Sequence, residues 1–370
     1  MMPIYMDRHD LSAGVTAENV ANLHQEDLKI QDEFNCRALT YWFDGERNTA
    51  FCLVEAPDEA SVHQMHDHAH GQVPHVIIEV DAALVESFLG RMEDLGRMED
   101  PKAVIGEELS PIDEPAFRFL LSAQIGFHSL DITQLEGLTS SMRSYKIKII
   151  ESIHVLCGTV VWQDGRHLLA SFKNAGKSVE CGLFALNNLG IQFPHLTLNL
   201  GLDAGIPVVE SKSMFEDTIR SSRRLCEFRK GFSISSVVLD MYCDNSVDSG
   251  HNMNEIVSIN ASELVFLHAL LDYLELNFAC PELRIDDLAY CLGLSRSQLF
   301  RKSGSLFNCA PSTFLNKFRL GKSLDILSSG MKSVSETAFL CGFSSSSYFS
   351  KCFHKMYGVA PKEYNLAIHH

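Results

Sequence analysis

Ile285-Asp-Asp-Leu-Ala-Tyr-Cys-Leu-Gly293-Leu-Ser295-Arg-Ser-Gln-Leu-Phe-Arg301-Lys302 and Val334-Ser-Glu-Thr-Ala-Phe-Leu-Cys-Gly342-Phe-Ser344-Ser-Ser-Ser-Tyr-Phe-Ser-Lys351 repeat one pattern 49 residues apart. In each, a short amphipathic helix ends at a glycine, Gly293 or Gly342, that is free to take the positive φ of a tight turn. An apolar residue follows, Leu294 or Phe343. A serine then stands where it caps the next helix, Ser295 in the first copy and Ser344 or Ser345 in the second. Ala289 and Ala338 let the two helices of each pair cross closely. This is helix-turn-helix patterning, whose second helix enters a DNA major groove. Thr313 to Leu327 reads as a helix between the copies, with Phe314, Phe318, Leu320, Ile326 and Leu327 apolar. Gly321 and Ser323 interrupt it, and a mid-helix glycine costs about 1 kcal/mol, so the link is expected to be pliable.

The exposed starts of the two recognition helices supply the candidate contacts to double-stranded DNA. They are Arg296, Ser297, Phe300 and Arg301 in the first, and Ser345, Ser346, Ser347, Ser350 and Lys351 in the second. Arginine pairs bidentately with guanine and serine reaches base or phosphate. Leu299, Tyr348, Phe349 and Phe353 are expected in the core. The segment resembles the AraC/XylS family of transcription regulators over about 281–364. The match is carried by Leu288-Ala289, Gly293, Ser295, Leu299-Phe300-Arg301, Pro311, Phe318-Arg319-Leu320, Val334-Ser335-Glu336, Ala338, Gly342-Phe343, Tyr348-Phe349-Ser350, Phe353, Gly358 and Pro361-Lys362-Glu363-Tyr364. The resemblance implies seven helices in two subdomains joined by a central helix.

Charge separates this segment from the rest. The chain carries −16 overall, but residues 281–370 hold 11 Lys+Arg against 6 Asp+Glu, and the other 280 residues hold 20 against 41. A basic DNA-facing part thus follows an acidic sensory or assembly part. No run of 18 apolar residues suggests a membrane span, and Met1 to Asp10 lacks the apolar stretch of a secretory signal. Eleven cysteines without CxxC pairs read as reduced thiols, so a cytoplasmic protein is expected.

Residues 1–92 read β-α-β-β-α-β, the order of a ferredoxin-like α+β fold. Strands are expected over 3–7, 38–42, 50–55 and 75–81. Helices are expected over 16–34, capped by Thr16, and over 58–70, closed by Gly71. Five of the 16 histidines fall between His63 and His75. His66 and His70 share a helix face at i,i+4, and His75 opens the next strand. Neutral imidazoles so spaced suit a divalent transition metal such as Ni or Zn, and Asp7, His9 and His24 are further candidates. The competing reading is a solvated polar helix face. Pro3-Ile-Tyr-Met-Asp-Arg-His9, His24-Gln-Glu-Asp27 and His66-Asp-His-Ala-His70-Gly-Gln-Val-Pro-His75 resemble a small ferredoxin-like family described as nickel-binding, which implies a metal in this module.

Leu89-Gly-Arg-Met-Glu-Asp94 recurs at once as Leu95-Gly-Arg-Met-Glu-Asp100, read as a duplication in a surface segment. Residues 93–115 read as a linker. Residues 116–243 read as an α/β module, with Val155 to Val161 and Leu168 to Phe172 paired as strands and Phe232 to Leu239 closing the set. Residues 244–260 read as a second linker before an all-α domain over 261–370. Leu169-Ala-Ser-Phe172, Gly201-Leu-Asp-Ala-Gly205 and the helix from Phe215 resemble class III nucleotide cyclases. Those enzymes hold two metal ions on two aspartates. Here Gln124 and Arg166 stand at those positions and Arg220 where the resemblance calls for Asn, while Arg224 fits the arginine. The resemblance therefore implies a degenerate cyclase-like scaffold without catalytic residues.

Together these readings give a multidomain, ligand-responsive DNA-binding regulator, not an enzyme, expected as a homodimer with an unknown small effector. A DNA-tethered nucleotide cyclase and a metal-binding scaffold are the alternatives.

Overall fold

The computed structural model describes residues 2–94, 111–210, 213–228, 231–245 and 255–369. Thr16 caps the first helix. Its hydroxyl accepts from the Asn19 N–H, and the Asn19 side chain accepts from the Thr16 N–H. The first module runs β1 (Ile4–Asp10), α1 (Ala17–Ile30), β2 (Arg37–Asp44), β3 (Thr49–Glu55), α2 (Glu59–Ala69) and β4 (Val76–Val80). Its sheet is antiparallel in the order β2-β3-β1-β4, the ferredoxin-like arrangement. Side chains alternate across a strand. Tyr5 packs with the α1–α2 side and Met6 with the opposite face. That opposite face is not left to solvent. Met6, Leu39, Trp42, Phe51 and Leu53 pack with Leu120, Leu169, Val208 and Phe215 of the second module.

Helix α3 (Ala82–Leu89) leads to a short stretch that ends at Asp94. This first copy of the duplicated hexapeptide was expected at the surface, but its Leu89, Arg91 and Asp94 are buried. The Arg91 guanidinium donates to Thr40 Oγ1, the Tyr41 carbonyl and Glu114, and Asp94 Oδ2 lies 3.1 Å from His24 Nε2. Paired charges account for the burial. The second copy, Leu95–Asp100, lies outside the described residues. The described end of the segment read as a linker is also packed. Ile112 is buried, its N–H donates to Tyr41 Oη, and Glu114 pairs with Arg91, Arg118 and Lys173.

The second module has β5 (Arg118–Phe127), α4 (Ile132–Glu136), α5 (Leu138–Val155), β6 (Thr159–Asp164), β7 (His167–Phe172), α6 (Ala175–Phe184), β8 (Leu196–Gly205), α7 (Glu216–Phe228), β9 (Gly231–Ser235), α8 (Ser236–Asn245) and β10 (Ile256–Ile259). The six strands order β10-β9-β8-β5-β7-β6. Three expectations are corrected here. Val155 ends a helix rather than opening a strand. The strand from Gly231 stops at Ser235 and continues as α8. Ile256–Ile259, expected within a linker, is a strand parallel to β9. Its four residues gain their ladder bonds from a remote neighbour, which leaves little local signal.

Seven helices follow: α9 (Ala261–Asn277), α10 (Ile285–Cys291), α11 (Arg296–Phe307), α12 (Pro311–Ser328), α13 (Val334–Leu340), α14 (Ser346–Tyr357) and α15 (Pro361–His369). Helix α12 runs through Gly321 without a break. Its first half packs Phe314 and Leu315 into one core, and its second half packs Leu320, Leu324 and Leu327 into another. The second core is continuous with the six-stranded sheet. Phe127 at the end of β5 lies 5.2 Å from the Tyr357 ring and 5.3 Å from the Tyr364 ring. Among the described residues no helix is long and apolar enough to cross a membrane.

Both turn glycines take the left-handed conformation, Gly293 at φ +63 and Gly342 at φ +75. A Cβ on Gly293 meets nothing within 4 Å, whereas one on Gly342 falls 2.2 Å from the Phe278 carbonyl oxygen. Gly293→Ala is expected to cost only the left-handed penalty of about 1–2 kcal/mol, and Gly342→Ala to cost more. Urea unfolding midpoints of the two variants check this, and equal losses would contradict the close approach at Gly342.

Candidate nucleic-acid interface and candidate metal centre

Each recognition helix starts at a capping serine. Ser295 Oγ accepts from the Gln298 N–H while Gln298 accepts from the Ser295 N–H, and Ser345 Oγ accepts from the Tyr348 N–H. These bonds satisfy amide groups that the first helical turn leaves free. Arg296, Ser297, Phe300 and Arg301 are exposed in the first helix, as are Ser347 and Lys351 in the second. Ser345, Ser346 and Ser350 are half-buried. Arg296 is already engaged, with its Nη1 3.1 Å from Asp286 Oδ1 and its guanidinium 5.8 Å from the Phe300 ring. Arg301 has no such tie within the chain, among the described contacts. Leu299, Phe349 and Phe353 are fully buried, but Tyr348, expected in the core, is 50% exposed. It lies one residue before Phe349, and only Phe349 points inward on that turn.

The first module holds the second candidate site. Period two along β1 puts Asp7 and His9 on the face toward α1 and α2. His66 on α2 and His70, the residue that caps its C-terminus, meet Asp27 from α1. His66 Nε2 lies 3.0 Å from Asp7 Oδ2, and its Nδ1 lies 3.0 Å from Asp27 Oδ1. His70 Nε2 lies 3.2 Å from the same Asp27 oxygen. The ladder sets Cys52 opposite Asp7, and the Cys52 N–H donates to Asp7 Oδ1. Ligand atoms of Asp7, His9, Cys52 and His66 lie within 4.8 Å of one another, as do those of Asp27, His66 and His70.

Burial and charge oppose each other at these groups. Burial alone would raise the Asp7 carboxyl, but His66 and His9 outweigh it and hold it well below the usual carboxylate range. Burial would likewise lower His66, yet Asp7 and Asp27 outweigh it and raise it to about 10. His66 without metal is therefore an imidazolium between two carboxylates. Burial, with Asp7 and Asp27 adding to it, keeps the Cys52 thiol protonated.

The residues fit a transition metal. His9 Nε2 is buried 3.1 Å from Asp7 Oδ1 but out of line for a hydrogen bond, so a donor atom is left over. Imidazole, carboxylate and thiol together match borderline cations. A cleft beside them is lined by His9, His24, Asp27, Cys52, His70 and Gln72. Of the three histidines singled out from sequence, the fold brings His66 and His70 together. His75 stands apart, exposed, its Nδ1 accepting from the Asp10 N–H. Sequence reasoning did not pick Asp27 or Cys52 as ligands. Asp27 had a signal, since it follows Val20 and His24 on the helix face that packs inward. Cys52 had none, because only the β1–β3 register brings it to Asp7.

Gln124, Arg166 and Arg224, singled out in the middle module, are committed within the chain. Gln124 Nε2 lies 3.0 Å from His167 Nε2. Arg166 binds Asp325 on α12, and Arg224 binds Asp272 on α9.

Comparison with known proteins agrees with both ends of the chain. Residues 288–366 match a helix-turn-helix domain model, and residues 5–80 match the nickel responsive protein SCO4226-like model. The regulator GbdR of Pseudomonas aeruginosa is 27% identical over 135 residues, 36% of this chain and 36% of its own. The activator RhaS of Shigella boydii is 35% identical over 97 residues, 26% of this chain and 34% of its own. The chain thus spans about a third of the length of these regulators. Two solved structures are similar to parts of it. An AraC-type regulator from Chromobacterium violaceum has 30% identity and TM-score 0.27, covering 29% of this chain and 95% of its own. SCO4226 from Streptomyces coelicolor A3(2) has 31% identity and TM-score 0.20, covering 21% and 94%. The chain carries a helix-turn-helix domain in its C-terminal part, similar to that of AraC-type regulators, and a domain similar to the nickel-responsive family in its N-terminal part.

The charged triad sets a pH dependence. His66 is raised from 6.5 to about 10, so its contribution to stability is fully present below pH 6.5 and lost as pH rises through about 10. The loss of urea stability in metal-free His66→Gln is expected to be largest near pH 6.5 and to shrink toward pH 10. A loss independent of pH would contradict the imidazolium.

Proposed function

We propose that this chain is a transcription regulator that reads double-stranded DNA with its two recognition helices and responds to a divalent transition metal, nickel or zinc. The observation that carries the DNA reading is the doubled helix-turn-helix unit over the residues that match the helix-turn-helix model, with both recognition faces exposed. Arg301, Ser297, Ser347 and Lys351 are the residues best placed to touch DNA. Arg296, Phe300, Ser345, Ser346 and Ser350 are supporting contacts. The metal reading rests on the buried cluster, with His66, His70, Asp7, Asp27, His9 and Cys52 as the groups that would hold the ion. The metal would supply a charge that competes with the His66 proton for the two carboxylates.

The middle module acts as a scaffold and not as a cyclase, because glutamine and arginine stand where that chemistry needs carboxylates. The duplex target places the protein in the cytoplasm. It acts as a homodimer, and light scattering should find a species near twice the 41.3 kDa chain mass. The effector coupled to DNA binding is the metal itself. By linkage, DNA must then change metal affinity by the same factor.

Two measurements test this. On a duplex selected by the full-length protein from random DNA, Arg301→Ala should lose about 1–3 kcal/mol and relax preference at one position. Unchanged affinity for both selected and random duplex would contradict the placement of α11. Calorimetry of the full-length protein with Ni²⁺ and Zn²⁺ should give saturable heat that His66→Ala/His70→Ala abolishes. No heat in the parent, or equal heat in both, would remove the metal site. Binding of metal that leaves DNA affinity unchanged would remove only the regulation.

A further inference from the structure

The two helix-turn-helix units have separate cores. The first is built on Leu267, Leu271, Leu288 and Leu299, and the second on Leu327, Ala338, Phe349 and Phe353. Helix α12 is the covalent bridge, and it carries Gly321 at its middle. A single helix bends under load, so α12 alone fixes the separation of the recognition helices only loosely.

The scaffold grips each unit independently. On one side, Leu225 of α7 enters the first core. Arg224 next to it binds Asp272 and donates to the His268 carbonyl at 3.2 Å, and Ser221 Oγ lies 3.2 Å from His268 Nε2. On the other side, the Leu130 N–H donates to the Tyr357 carbonyl at 2.9 Å. Arg166, from the β6–β7 turn, is buried and binds Asp325 on the second half of α12. Both arginines are nearly inaccessible, while their aspartate partners are half-exposed. None of this covers Arg301, Ser347 or Lys351. The docking therefore leaves the recognition faces open and acts on where they stand.

We propose that Arg166 and Arg224 are positioning residues that set the distance and rotation between the two recognition helices, and so the spacing of the two DNA segments the protein accepts. This rests on the DNA-reading function proposed above. An inserted base pair moves one segment by about 3.4 Å and turns it by about 35° relative to the other. Two units held on one rigid body cannot follow that shift, whereas a first unit freed of its Arg224 tie can move on α12 relative to a second unit that stays on the core of the sheet.

The test uses the full-length protein and a duplex it has selected from random DNA, together with the same duplex carrying one extra base pair between the two protected segments. The parent should lose at least about tenfold in affinity on insertion, comparable to a mismatch in a specific site. Arg166→Gln/Arg224→Gln should bind the original duplex and lose less than about threefold on insertion. Asp272→Asn/Asp325→Asn changes only the half-exposed partners and should show the same relaxed spacing, which covers the case in which the arginine variant fails to fold. An insertion penalty equal to the parent's in a folded variant overturns the proposal. A parent that selects no duplex overturns the DNA reading itself, and the spacing role with it.

Discussion

Strand β5 imposes the constraint on which the rest of the molecule depends. Its side chains alternate between two faces, and both faces are claimed by other modules. Phe119, Leu121, Ala123, Ile125 and Phe127 lie in the core that runs on into the second helix-turn-helix unit, while Leu120 lies in the core shared with the ferredoxin-like sheet. Arg118 opens the strand fully buried, donating to the carbonyls of Phe88, Leu89, Pro115 and Phe117. A slip of one residue would exchange the two faces and detach both neighbours at once. The three modules share apolar cores across their boundaries, and Glu114, just before the strand, pairs with Arg91 and Arg118.

That arrangement bears on how a signal at one end could reach the other. Arg8 stands between Asp7 and His9 of the candidate metal centre, and its Nη1 donates to the Val208 carbonyl of the scaffold at 3.3 Å. Val208 opens the segment that leads into α7, and α7 carries Arg224 to the helices of the DNA-binding part. Arg166 and Arg224 serve as struts between the middle module and α12 and α9.

What was legible in the sequence was local. Gly293, Gly342 and the serines after them announce both turns, because tight-turn geometry and helix capping act over a few residues. Thr16 announces its helix for the same reason, accepting from the N–H three residues on. His66 and His70 were legible through their shared helix face. What was illegible required distant strands to meet. His75 matches His70 in residue type and closeness in sequence, but the chain direction into β4 leaves it exposed. Cys52 became a neighbour of Asp7 only through the ladder. Asp94 and Arg91 looked like part of a repetitive surface stretch, and only tertiary pairing with His24 and Glu114 makes them interior. Ile256–Ile259 looked like linker because a four-residue parallel strand has its partners elsewhere.

On this reading both helix-turn-helix units of a chain engage one duplex together. Hydroxyl-radical footprinting of the full-length protein on a selected duplex tests it most directly. Each half-site should show two protected segments about one helical turn apart, roughly 10 base pairs centre to centre, lost together when either recognition helix is disabled. A single protected segment that survives removal of Lys351 and the serines of α14, or uniform protection without sequence preference, would contradict it.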